Sequence, residues 1–512
     1  MDEIIVSGEG LSFLEVALCL DGLPKIRLSP VARKKMLASR AVIDKKLTED
    51  HLYYGINTGF GKLATKRIAP EQRITLQENL IHSHAMGVGD PLPEQVARLT
   101  VLLKANSLSL GFSGVRPEIV EGLLALINCG ITPIIPDQGS VGASGDLAPL
   151  AHMAQVLLGE GEVFYRGKRE LASVALKSEK LVPLQLAPKE GLSLVNGTEA
   201  SLALCCAALH QAEKLIKLSD VAAATSVEGD RGSFHPFDAR LIEARGHAGS
   251  IATADNLRRM LSGSAINKAH VDCARVQDPY SFRCVPQVHG AVKETFRFVQ
   301  KTIEKELKSV TDNPLVFAET GDIVSGGNFH GEPVAFASDF LTIALAELGS
   351  ISERRVALLT SPLEGEIPAQ FLIENPGLHS GFFMPHVVVS SLVMENRTLC
   401  MPAVVDSIPT FGGQEDHVSQ SYWAGRKLCR VAGNVEKILA IELWAACQAI
   451  DLSSEGRTAG KGVEAVYQYV RQRIPKLTED RFLRGQLDQM LQLVATRAPI
   501  QVAEAAVGVL KI

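Results

Sequence analysis

The chain has 512 residues, 46% of them hydrophobic and 21% charged, with a formal net charge of −5 and a pI near 6.3. This is the polarity of a globular protein, long enough for roughly two to four domains. The acidic balance leaves no basic footprint, which argues against nucleic acid as a partner.

Nine cysteines are scattered, with no CxxC pair and no His/Cys cluster at zinc spacing, so they read as reduced thiols. The start is acidic rather than basic, and no apolar run reaches the ~18 residues that cross a bilayer. A cytoplasmic protein is therefore expected, with no membrane, no nucleic acid and no metal.

In chain order, a Pro-bounded helix is predicted over 29–46. Residues 51–62 then pack three glycines, Asn57 and Thr58 around Tyr54, the composition of a loop that closes over a site or of a plain surface loop. Helical spacing returns from 70 to 80 and leads into Ser83-His84, where the imidazole is either an interior group or a substrate contact. Amphipathic helices follow over 93–107 and 117–128.

Residues 139–150 read Gly-Ser-Val-Gly-Ala-Ser-Gly-Asp-Leu-Ala-Pro-Leu, three glycines running into a helix start. One reading is a capped loop or anion nest. The other is chemical. In a tight bend the Gly145 nitrogen attacks the Ala143 carbonyl carbon, and loss of two waters, there and from Ser144, leaves a five-membered ring with an exocyclic methylene. Ala-Ser-Gly alone would occur by chance in about one chain in five of this length, so further evidence is needed.

A hairpin is predicted over 160–171, and Asn196 opens a long helix running towards 228. Residues 276–287 carry Gln277, Tyr280, Arg283 and Gln287 at spacings of three or four, but two prolines predict a rigid turn. Arg283 there either ties down loop carbonyls or clamps a carboxylate. Phe329 lies in a second Gly/Asn-rich stretch, 325–332. Long helices are predicted over 333–359, 385–398, 415–450 and 481–497, with Glu415 on the first turn of the third. That many long apolar helices implies that some bury a face against other subunits.

Six separated blocks, in order along nearly the whole chain, resemble the aromatic amino acid ammonia-lyases. They are Tyr54-Gly-Ile-Asn-Thr-Gly-Phe-Gly, Ser83-His84, the 139–150 loop, Val195-Asn196-Gly197, the stretch from Gln277 to Arg283, and Gln414-Glu-Asp-His-Val-Ser419. The resemblance implies a mainly α fold of the ammonia-lyase/fumarase type. A smaller, loop-rich N-terminal domain (1–115) would carry Tyr54 and His84, and a helical domain (116–512) the 139–150 loop and a long central bundle. It implies a homotetramer whose active sites draw on more than one subunit.

It also implies that Ala143, Ser144 and Gly145 cyclise to the 4-methylidene-imidazol-5-one group (MIO), with no external cofactor. Tyr54 and Glu415 are then the two candidates for the base that takes the β-proton, and Tyr280 stands near the electrophile. Arg283 holds the substrate carboxylate, Asn196 lies beside the amino acid and the ring, and Gln277, Gln287 and Phe329 line the pocket. The family's histidine-specific members carry Ser-His and Glu where this chain has Ser83-His84 and Glu415. The reaction implied is non-oxidative loss of ammonia from L-histidine to give trans-urocanate, the first step of histidine degradation. The alternatives are a tyrosine or phenylalanine lyase or aminomutase of the same family, and a non-catalytic helical scaffold.

Overall fold

The computed structural model describes residues 3–270, 275–362 and 369–512. Most of these are helical, so the mainly α expectation holds. By Cα packing the chain forms two units, each discontinuous in sequence. The first comprises residues up to 208, 300–339 and 402–428; the second comprises 209–299, 340–401 and 429–512. The division expected after residue 115 is not one of these boundaries, four of which fall inside the long helices Glu199–Gly229, Val285–Glu306, Glu332–Thr360 and Ser421–Ser453.

In the first unit, strands Glu3–Val6 and Lys25–Leu28 pair in parallel, connected through helix Phe13–Asp21. That helix opens on a reciprocal cap between Ser12 and Glu15. Helix Pro30–Lys46 starts where its sequence signal lies: Pro30 occupies the first turn and Ser29 Oγ accepts from the Ala32 amide. The predicted hairpin forms as Glu162–Tyr165 against Lys168–Leu171, and Ile131–Pro133 adds a third antiparallel strand. Helix Glu94–Ser109 is buried on nearly every face, which forces its one lysine, Lys104, to find an ion partner inside.

The second unit is built from long helices held by polar groups as well as packing. Val389, Val393, Ile438 and Ile441 form an apolar cluster. Glu442, fully buried, accepts from Ser226, Ser352 and Arg355, so no charge is left unpaired there.

Helix Glu332–Thr360 passes a length-and-composition test for a membrane span, contrary to the expectation that no segment would. Two-thirds of its apolar window (67%) is buried inside the fold. Its length also carries Asp339, which accepts from Lys427 Nζ at 2.9 Å, and Arg355, which pairs with Glu442. These are properties of a core helix.

Candidate active site

The cavity that gathers the sequence-predicted residues lies wholly within the first unit and measures about 440 Å³. Tyr54, His84, Ala143, Ser144, Asn196, Phe329 and Glu415 all line it.

Its floor is the 139–146 loop. Gly145 sits at φ +76°, and a Cβ there would fall 2.0 Å from the Gly197 carbonyl oxygen, so only glycine fits. That close approach locks two chain segments together: the Asp146 amide donates to Gly197 O at 2.7 Å, and Ser144 O accepts from Asn196 Nδ2 (3.3 Å) and Gly197 N (3.4 Å).

Asp146 stands immediately before helix Leu147–Ala154. Its carboxylate also reaches the start of helix Glu199–Gly229, accepting from Ser201 N and Ser201 Oγ (both 2.7 Å) and from Ser140 Oγ (3.0 Å). Burial nevertheless pushes its carboxyl up to about 6, the hydrogen bonds pulling the other way.

Asn196 does not open the long helix as predicted. It is in extended conformation at the end of helix Glu190–Val195, and the long helix begins at Glu199. The intervening turn is what lets Asn196 face Ser144. Lys104 holds it from below, donating to Asn196 O at 2.6 Å while paired with Glu199 at 2.9 Å. Asn196 is 4% exposed, and its Oδ1 is buried with no hydrogen-bond partner among the described residues.

His84 ends helix Arg73–His84, its Nδ1 2.9 Å from Ser83 Oγ. Burial pushes the imidazole below its ordinary value, while the Leu80 carbonyl and the charge of Glu415 work against that shift.

The Tyr54 loop is laced by its own side chains. Asn57 accepts from the Tyr53 amide and donates to His51 O (both 2.7 Å), while Ile56 plugs into a core with Ile43 and Val316. Tyr54 Oη accepts from the Gly61 amide at 3.1 Å. Gly61, at φ +52°, leaves the space that the Phe411 ring fills; a Cβ would come within 2.1 Å of it.

Glu415 is not on a helix. Helix Ser421–Ser453 starts six residues later, because residues 410–415 close on themselves: Phe411 and Gly412 take positive φ, and Thr410 and Glu415 form a β-bridge. The turn aims the carboxylate: Oε2 accepts from Thr410 Oγ1 (2.7 Å) and Oε1 from Ser144 Oγ (2.9 Å).

Gln277, Tyr280, Arg283 and Gln287 do not line this cavity. They belong to the second unit, where Gln277, Arg283 and Gln287 line a groove of about 460 Å³. The predicted rigid turn is a one-turn helix, Tyr280–Arg283, after Pro279; Gln287 lies on the first turn of helix Val285–Glu306. Phe282 anchors the turn in the core, leaving Tyr280 70% exposed with the Arg283 guanidinium 4.5 Å from its ring centroid. Among the described residues Arg283 Nε and Gln287 Oε1 are both buried without a hydrogen-bond partner.

Lys104 and Thr410 escape the sequence reading. A lysine inside the apolar run from Val101 to Ala105 was the available signal for the first; nothing in the spacing marks the second.

The family model for aromatic amino acid lyases matches residues 11–472. The chain belongs to the aromatic amino acid lyase family. Among relatives of this family, a histidine ammonia-lyase of Anaeromyxobacter sp. (strain K) is 47% identical over 96% of this chain and 99% of its own length. One from Alkaliphilus oremlandii (strain OhILAs) is 44% identical over 99% of each. Among solved structures, histidine ammonia-lyase from Trypanosoma cruzi is similar with TM-score 0.90 and 40% identity, covering 99% of this chain and 96% of that one. The tyrosine aminomutase of Streptomyces globisporus superposes with TM-score 0.93 at 35% identity, over 99% and 100%. Family membership makes this chain a lyase acting on carbon–nitrogen bonds.

Proposed function

We propose that the chain eliminates ammonia from L-histidine to give trans-urocanate. The observation that carries this reading is a cavity holding His84 and Glu415 together with the Ala143-Ser144-Gly145 loop. An imidazole and a carboxylate on one wall can engage both nitrogens of a histidine ring, and a phenyl ring would leave both unpaired. Sites built on such hydrogen bonds reject analogues that lack them by large factors.

The residues present fit an MIO group. Ala143 and Gly145 are small, the positive φ at Gly145 bends the tripeptide, and Asn196 Nδ2 and Gly197 N already donate to the Ser144 carbonyl that cyclisation retains. The group supplies an electrophilic methylene that takes up the substrate amine, turning a poor leaving group into a good one. Those two donors draw electrons towards the carbonyl oxygen and so sharpen that electrophile.

We assign the β-proton to Tyr54, whose oxygen faces the cavity and accepts from the Gly61 amide. Glu415 is held by Thr410 Oγ1 through one oxygen, and loss of the Ser144 hydroxyl on cyclisation frees the other, so it serves the imidazole. Phe329 packs beside the ring.

Arg283 carries the substrate carboxylate, with Tyr280, Gln277 and Gln287 beside it, and these come from a second copy of the chain in a homotetramer. In support, Arg283 Nε and Gln287 Oε1 find no hydrogen-bond partner among the described residues, and the second unit leaves apolar side chains such as Phe340, Ile343, Met384 and Met394 exposed. Among the described residues eight cysteines are free thiols, in keeping with a cytoplasmic enzyme.

The test is parallel incubation of the purified protein with L-histidine, L-tyrosine and L-phenylalanine, followed by near-UV absorbance and ammonia release. Urocanate from histidine alone is expected; cinnamate or coumarate instead, or a β-amino acid without free ammonia, would overturn the assignment.

A further inference from the structure

The cavity wall carries a cluster that the proposed reaction does not use. His330 and His417 line the cavity, and Glu332 stands beside them. One ligating atom from each lies within 4.8 Å of the other two. His330 Nδ1 is 3.8 Å from Glu332 Oε2, and the two imidazole planes are parallel to within 6° at a centroid distance of 5.8 Å.

Three observations bear on what the cluster binds. Among the described residues Glu332 Oε2 is buried and accepts no hydrogen bond, which costs free energy unless a cation meets it. Two imidazoles and a carboxylate are a zinc-class donor set, leaving one or two positions for water. The backbone is pinned on both sides. The His330 amide donates to Gly327 O (2.9 Å) and the Val418 amide to Ser407 Oγ (2.9 Å), while Glu332 is the first residue of helix Glu332–Thr360. Only side chains then need to move. Metal bonds of about 2.1 Å put tetrahedral donors roughly 3.4 Å apart, so the His330–Glu332 pair is nearly set and the widest separation closes by roughly 1.4 Å. His417, the partner that has to move, is exposed.

We propose that His330, Glu332 and His417 form a binding site for a zinc-class divalent cation on the cavity wall. The proposal is independent of which amino acid the enzyme consumes.

The full-length protein, stripped with chelator and dialysed, is titrated with Co²⁺ alone while its d–d absorbance is read, and Zn²⁺ is then added as competitor. One Co²⁺ per chain, displaced by Zn²⁺, is expected, with at least tenfold weaker binding in Glu332→Gln and in His417→Asn. No band and no retained ion, or equal retention in both variants, would overturn the site. A second measurement needs no variant: diethylpyrocarbonate modification of the native protein, mapped by mass spectrometry. Zn²⁺ should protect His330 and His417 together, and equal modification with and without Zn²⁺ contradicts the proposal.

Discussion

Ser144 Oγ donates to Glu415 Oε1 at 2.9 Å across 271 positions of sequence, and Thr410 Oγ1 holds the other carboxylate oxygen at 2.7 Å. Thr410 is therefore a positioning residue for Glu415. Hydrogen bonds to charged groups contribute about 1.5–3 kcal/mol, so Thr410→Val should lower kcat/KM for L-histidine roughly tenfold or more. Thr410→Ser, which keeps the hydroxyl, should stay within about threefold. Equal loss in both variants would assign the effect to packing.

Tyr54 and Glu415 separate by their kinetics. Tyr54→Phe should cut kcat strongly with KM little changed, because the lost group acts on the proton in flight. Glu415→Gln should raise KM for histidine and narrow its preference over phenylalanine. Near-normal turnover in Tyr54→Phe would remove that residue from the role of base.

Shared sites predict complementation. Tyr54→Phe and Arg283→Ala each damage a different unit of the chain. Co-expressed, they should form mixed oligomers in which some sites take an intact Tyr54 from one copy and an intact Arg283 from another. Activity above either parent is expected. Mixed oligomers, verified by two affinity tags, that show no gain would mean that each chain completes its own site.

Asp146 gives a pH dependence with a defined sign. Its folded value of about 6 lies above the unfolded value of 3.8, so its contribution to stability is fully present below about pH 4 and is lost as pH rises through about 6. The shift corresponds to about 3 kcal/mol. The stability of the native protein relative to Asp146→Asn should fall by about that much between pH 4 and pH 7.5, read from denaturant midpoints. A difference that stays constant across this range would show that the carboxyl titrates alike in both states.

Much of the fold was legible because local signals agree with the tertiary structure. Ser29-Pro30 starts its helix where propensity says, and the predicted spans 93–107 and 117–128 are observed as Glu94–Ser109 and Pro117–Asn128. The reading failed where a long-range contact overrides the local pattern. Helical spacing near Glu415 suggested a helix start, yet the chain turns through positive φ at Phe411, Gly412 and again at Gln420, and the helix begins only at Ser421. Asn196 looked like a cap because caps are what asparagines near helices usually are; its contact with Ser144, 52 positions away, cannot be read from spacing. The cluster of His330, Glu332 and His417 is invisible for the same reason, since the fold alone brings its halves together.

The measurement that bears most directly on the chemistry is the intact mass of the active protein, with peptide mapping across residues 139–150. The mass should fall two waters below that of the sequence, with the deficit confined to Ala143-Ser144-Gly145 and abolished in Ser144→Ala. A fully active preparation with the unmodified mass, its Ser144 hydroxyl intact, would contradict the account.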